Sequence, residues 1–341
     1  MIRTISFLLL LFLVSCNKPA VTKDQRHALI ANINVKNNLL VYSYWKDKDY
    51  AIKIEDLKTN TTIFSTKITD KCFTEPRINH DQLYFPESNN IFTCIDYKNN
   101  KVLWKLSTKG RIREFQFVKD DLIIASIDLY GLVAINSDTG KVMYELLLHP
   151  DKSCLVDNAP RPIAFDNNYF YVTNFNCTSI SAFAISSGKN VWNTKENLTP
   201  LSNFVVAGKY IFTGSNKNND KGEIMLLETQ TGKIVFKQNS KFDIFTDPVF
   251  YQNKVYYHTL DSQLQEFDIE KKSSKVMYKF KGNEDLGCNQ MYLLDHFIYA
   301  QDCDYDVNKI DLNTFTKEIA DKGQKGLLGV YQIHNNVKFI Y

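Results

Sequence analysis

The sequence predicts an all-β fold, a β-propeller of four-stranded antiparallel blades, and three observations carry that expectation. A polar turn followed by Lys, apolar residues and an aromatic keeps returning, as "SDTGKVMY" (137–144), "SSGKNVW" (186–192) and "TQTGKIVF" (229–236). The residues that close this element, Phe64, Trp104, Tyr144, Trp192, Phe236, Tyr278 and Ile319, follow one another at 40, 40, 48, 44, 42 and 41 residues, the period of four-stranded blades and not of leucine-rich or helical repeats. The composition suits strands: 44% of 341 residues are hydrophobic, and 19 Tyr and 23 Phe supply side chains that fit a pleated surface.

Within each unit the elements read in a fixed order. A polar turn and a strand come about 20 residues before each closing residue: "NNLLVYSY" (37–44), "HDQLYFP" (80–86), "KDDLIIAS" (119–126), "DNNYFYVT" (166–173), "AGKYIFTG" (207–214), "QNKVYYHT" (252–259), "LDHFIYAQ" (294–301) and "HNNVKFIY" (334–341). A third strand follows, as in "GLVAINSDTG" and "GEIMLLETQTG", and short apolar runs separated by Asn, Asp and Gly turns make antiparallel hairpins. The recurring "TGK" turn then joins the third strand to the outermost one. Gly or Asn provides its positive φ, and the closing aromatic is placed to pack on the next blade. There are seven third-plus-fourth pairs and eight first-plus-second pairs, so either seven blades close with an extra hairpin, which the count of complete units favours, or eight form with one incomplete.

The turn "SDTGKVMY", "SSGKNVW" and "TQTGKIVF", behind strands such as "LVAIN" and "ISAFAI", resembles the PQQ-like, quinoprotein-type propeller repeat over residues 30–341. Combined with the N-terminal signal described next, it is similar to the family of the outer-membrane assembly lipoprotein BamB. That resemblance implies a scaffold in outer-membrane protein assembly that docks a larger β-barrel machine.

Residues 1–15 have the layout of a secretory signal: one positive residue, Arg3, then an apolar run from Ile5 to Val14 too short to span a bilayer. Leu13, Val14, Ser15 and Cys16 resemble the lipobox of bacterial lipoproteins, so Cys16 is the expected lipidation site, with a linker over 16–29 and the propeller over 30–341. Several acyl chains together anchor a protein firmly. The stretch after Cys16, "NKPAVTKDQR", lacks an acidic run resembling a surface-export signal, so an outer-membrane lipoprotein facing the periplasm is expected. The formal charge of +3 falls to +2 when Arg3 is removed, and nothing in it asks for nucleic acid. A monomer with an envelope protein partner is the expectation.

Six cysteines remain for disulfides, as suits an exported chain. Spacing alone leaves fifteen pairings open. On the blade plan Cys154 with Cys177, and Cys288 with Cys303, fall at the same end of one hairpin, while the third candidate, Cys72 with Cys94, fits less well because Cys94 lies within a third strand.

No catalytic constellation stands out: HExxH, GxSxG, Walker and CxxC patterns are missing, and the six histidines are scattered, with His80, His296 and His334 at equivalent turns. Quinoprotein enzymes share the repeat type, yet many place adjacent cysteines against the cofactor and none are adjacent here. The expectation is a non-enzymatic protein without cofactor, with a ligand- or glycan-binding propeller lipoprotein as the alternative and a quinoprotein-type enzyme as the third reading. "DCDYDVN" alternates Asp302, Asp304 and Asp306 and invites calcium, although Val307 replaces the loop glycine and Asn313 the final Glu of an EF-hand. Finally, Glu75, Glu114, Arg161, Ser202, Thr246 with Asp247, and Asn289 recur at the entrance of the innermost strands. They are the candidate partner-binding residues at one mouth of the central channel.

Overall fold

The computed structural model describes residues 28–46, 49–147, 163–173, 180–194, 204–216, 222–240, 244, 247–259, 261–280, 291–302, 304–322, 329–333 and 336–340. Cys16, Cys154, Cys177, Cys288, Cys303, Arg161, Ser202, Thr246 and Asn289 lie outside them. Every described element is a strand, and each four-stranded sheet is a meander in chain order.

Blade 1 comprises β1 (Ala28–Lys36), β2 (Leu39–Lys46), β3 (Asp49–Asp56) and β4 (Thr61–Ile68), and blade 2 comprises β5 (Arg77–Asn79), β6 (Gln82–Glu87), β7 (Ile91–Asp96) and β8 (Lys101–Ser107). Blade 3 follows with β9 (Ile112–Lys119), β10 (Leu122–Ile127), β11 (Gly131–Asn136) and β12 (Val142–Leu147), and blade 4 with β13 (Ile163–Phe165), β14 (Tyr169–Thr173), β15 (Ile180–Ala184) and β16 (Asn190–Asn193). Blade 5 holds β17 (Val205–Ala207), β18 (Tyr210–Asn216), β19 (Gly222–Glu228) and β20 (Ile234–Ser240). Blade 6 holds β21 (Val249–Tyr251), β22 (Lys254–Thr259), β23 (Gln263–Asp268) and β24 (Ser273–Lys279). Blade 7 holds β25 (Met291–Leu294), β26 (Phe297–Gln301), β27 (Val307–Asp311) and β28 (Lys317–Asp321). A two-stranded sheet, β29 (Gly329–Ile333) with β30 (Asn336–Ile340), completes the count of eight inner hairpins and seven outer ones.

The innermost strands neighbour one another, β13 against β9 and β17, and β17 against β21. β29 lies against both β25 and β1, so the eighth, two-stranded sheet sits between the last blade and the first. The fold is a β-propeller, as the repeat requires: one sheet cannot bury both of its faces, and blades stack until the ring closes.

The turn between third and fourth strands is built by its own side chains. Asp56, Asp96, Asn136, Asp268 and Asp311 each accept backbone N–H bonds from residues two or three positions on, which fixes the reversal. A left-handed residue follows in every unit: Asn60, Asn100, Gly140, Gly188, Gly232, Lys272 and Phe315. The first five are the Asn and Gly that such a conformation favours; Lys272 and Phe315 depart from the expectation.

The closing aromatics form the seams between blades. Trp104 Nε1 donates to Ser137 O of blade 3 at 2.7 Å, Tyr144 OH to Ile185 O of blade 4 at 2.7 Å, and Trp192 Nε1 to Thr229 O of blade 5 at 2.8 Å. Each acceptor stands three residues before the left-handed glycine of its own blade. Phe64 meets Tyr97 edge-on at 6.3 Å, Phe236 meets Phe267 at 5.3 Å, and Tyr278 OH donates to Phe315 O.

Register explains the location of these residues and corrects one of them. In every fourth strand one residue bulges out just before the closing position, so that Cys94 pairs with Trp104 while Ile95 pairs with Val102, and Leu103 is skipped. The same bulge falls at Ile63, Met143, Val191, Val235 and Met277. In blade 7 it falls at Ala320, which puts Asp321, not Ile319, in the closing position. Ile319 takes the place that Val142 and Val276 hold in blades 3 and 6, pairs with Asn308, and is 51% exposed, so it packs no seam. The two-stranded sheet beyond blade 7 brings no third-to-fourth turn for an aromatic to rest upon.

Cys72 and Cys94 also need correcting. Both are buried thiols in different clusters: Cys72 with Ile52, Phe64 and Leu83 between blades 1 and 2, Cys94 with Tyr84, Trp104 and Phe115 between blades 2 and 3. The sheet of blade 2 separates them, and the third candidate disulfide does not form. Cys72 Sγ donates to Thr74 O at 3.0 Å, and burial pushes both thiols up to about 12.

Candidate functional site

The innermost strands of blades 2, 4, 5 and 6 have three residues each, and that of blade 7 has four. Glu75 stands just before β5, Glu114 on β9, and Asp247 just before β21, all at the strand entrances. Alternation along a strand puts residues two apart on the same face, so Glu75 shares its face with Arg77 and Glu114 with Gln116.

These four residues join three blades. Arg77 Nη2 donates to Glu75 Oε2 at 2.9 Å and Nη1 donates to Gln116 Oε1 at 2.8 Å. Gln116 Nε2 donates to Glu114 Oε1 at 3.0 Å, and the same oxygen accepts the backbone N–H of Ile163 on β13 at 3.1 Å. Arg77 also lies over the Phe115 ring, 5.6 Å from its centroid. Part of the acidic set is therefore spent on fixing neighbouring inner strands to one another.

Asp247 stands opposite this chain electrostatically. Water reaches its side chain, yet desolvation raises its carboxyl above the ordinary range. A group on the wall of a narrow wet channel has both properties, since water touches it while protein displaces most of its surroundings. Burial pushes the Tyr292 phenol on β25 up to about 12, with further pressure from the charges of Asp247 and Glu75. One phenol feels both carboxylates, so Glu75 and Asp247 lie within electrostatic reach of the same Tyr292 side chain. Arg77, Gln116 and Tyr292 were not singled out from the sequence; the alternation of Glu75 with Arg77 and of Glu114 with Gln116 is the signal that would have found the first two.

The calcium candidate does not assemble. Asp302 is buried and its Oδ1 accepts the backbone N–H groups of Asp304 and Asp306 at 3.1 and 3.0 Å, while Oδ2 accepts from Asn308 Nδ2 at 2.9 Å. It organises the turn itself, and Asp304 points to solvent. Among the described residues no three His, Cys, Asp or Glu side chains converge as metal ligands. His80 adopts a left-handed turn conformation, and His296 sits beside Asp295 in the equivalent turn of blade 7.

The family model described as outer membrane protein assembly factor BamB matches residues 36–220 and 178–275. The chain belongs to the BamB family. Among solved structures, BamB from Moraxella catarrhalis superposes with a TM-score of 0.61 at 12% identity, covering 80% of this chain and 80% of that one. The computationally designed protein Ika8 gives 0.70 at 12% identity, over 92% and 93% of the two chains. Hsv2 from Kluyveromyces lactis gives 0.60 at 13% identity, over 87% and 99%. At such identities these likenesses concern the fold. No curated protein sequence matches the chain.

Proposed function

We propose that this BamB-family protein is a lipid-anchored, non-enzymatic scaffold that holds a protein partner in the cell envelope, with outer-membrane protein assembly as its setting. Family membership carries the reading. The lipobox-like Cys16 supplies the anchor, and the mouth around Glu75, Glu114, Asp247 and Tyr292 supplies a polar docking rim whose backbone is already ordered. Preorganisation matters because side chains and loops that are ordered before docking cost less to bind.

The test is a crosslinking pull-down of the lipidated protein from its native envelope, read by mass spectrometry. Recovery of outer-membrane assembly components, weakened by Glu75→Gln with Asp247→Asn, is the expected result. Unchanged recovery with the double variant removes the mouth from the reading, and a preparation that captures no protein above background removes the scaffold.

A further inference from the structure

A second surface lies on the face where interblade linkers and the hairpins between second and third strands emerge. Leu129, at the tip of the hairpin joining β10 to β11, is 68% exposed, the highest exposure of any large apolar side chain among the described residues. It also holds a left-handed φ of 56°. The hairpins of blades 2 and 6 have loops of the same length and put the left-handed residue third, as Asn90 and Ser262. In blade 3 it is second, with Tyr130 N donating back to Ile127 O, the position of a type II turn that calls for Gly or Asn. A leucine there is unfavourable for its backbone and for its contact with water, and among the described residues it joins no hydrophobic cluster.

Its neighbours continue the theme. Asp128 binds two guanidinium groups, Arg113 Nε at 2.6 Å and Arg111 Nε at 3.4 Å, so one carboxylate faces two cations. Arg111 lies 5.5 Å from the centroid of Phe73, which is 45% exposed and meets Trp45 edge-on at 5.7 Å. Lys71 stands over both rings, 5.4 Å from Trp45 and 5.9 Å from Phe73. Trp45 and Phe73 thus pair on this face under Lys71 and Arg111, and Asp128, which binds Arg111 and Arg113, carries the exposed Leu129 next to it, so the surface draws on three blades. Exposed aromatic and Arg anchors are the residue types on which interfaces concentrate their binding energy.

We infer that this surface docks a protein segment carrying acidic residues next to an apolar side chain. Lys71, Arg111 and Arg113 outnumber Asp128 and Asp70, the carboxylate beside Lys71, and this excess of cations sets the sign of the partner's charge, while the protruding Leu129 asks for a pocket or apolar strand in place of a sugar ring. The inference rests on the scaffold reading and places a contact outside the channel mouth.

Full-length lipidated protein carrying the photocrosslinker benzoylphenylalanine at position 129 or 73, or at 276 as a control on the outer edge, is irradiated in the native envelope. Crosslinks from 129 and 73 to one protein, through a peptide of net negative charge, are expected, with yield reduced roughly tenfold for the position-73 probe by Leu129→Asn or Lys71→Glu. Leu129→Asn should leave the melting temperature unchanged or higher, since Asn accepts the left-handed turn, so a loss of crosslinking cannot be blamed on misfolding. Crosslinks to lipid or glycan, or to a peptide without acidic residues, overturn the inference. Protein captured at 276 but not at 129 overturns this surface and leaves the scaffold standing, whereas no protein captured from any position removes both.

Discussion

His258 on β22 is fully buried, neither ring nitrogen has a hydrogen-bond partner among the described residues, and its ring meets Phe280 edge-on at 4.7 Å. Burial lowers its pKa from 6.5 to about 4. Over that interval the unfolded chain takes up a proton that the folded one refuses, so the stabilising contribution is complete above pH 6.5 and is lost as pH falls toward 4. Its size is about 3 kcal/mol, taking 1.36 kcal/mol per pH unit. Urea unfolding of His258→Leu should show a flatter dependence on pH than the parent between pH 7 and 4.5, and parallel curves would contradict the assignment. Asp247 has the opposite sign: its raised pKa means that the charged form costs stability, so Asp247→Asn should raise the melting temperature at pH 7 and matter less in acid.

At the scale of the element, the turn and the bulge work as a pair, one setting the left-handed residue and the other aiming the aromatic of the preceding blade over it. A Cβ on Gly232 would stand 2.4 Å from Trp192 Cε3, and φ there is 66°. Gly232→Ala should cost about 2–4 kcal/mol, backbone strain plus overpacking. Gly208 shares the sign of φ but has nothing within 4 Å, so Gly208→Ala should cost about 1 kcal/mol. Chemical denaturation of the two variants separates strain from contact, and equal losses would refute the seam. These elements were legible in sequence because the turns are written in Asp, Asn and Gly at a fixed period. The misplacement of Ile319 was not legible, because a bulge shifts the inward face by one residue and leaves no mark in a pattern of apolar residues.

For the whole molecule, closure depends on β29 touching both β25 and β1. Deleting residues 329–341 should open the ring and lower the melting temperature, with faster hydrogen exchange appearing first in β1 and β25; uniform exchange across all blades would count against closure at this point. The ring and its count of hairpins were readable from repeat grammar, including the eighth inner pair. The mouth was readable only in part: Glu75, Glu114 and Asp247 recur at strand entrances, but that Glu114 binds the neighbouring strand β13, and that Glu75 instead holds the Arg77 which reaches Gln116, depends on contacts between blades that no local spacing encodes. The Leu129 surface was hidden for the same reason, since Trp45 comes from the end of β2 and Phe73 and Arg111 from two different interblade linkers.

The forward reach of each aromatic gives the ring a direction. A tandem copy of unit 3 would inherit both halves of a working seam, because it offers Gly140 to the unit before it and Tyr144 to the unit after it. A copy of unit 7 would not, because Asp321 stands where a ring is needed, although Phe315 still accepts the ring of the unit before it. The chain can therefore lengthen by duplication only among its earlier units, and the seventh is a terminator written in one residue.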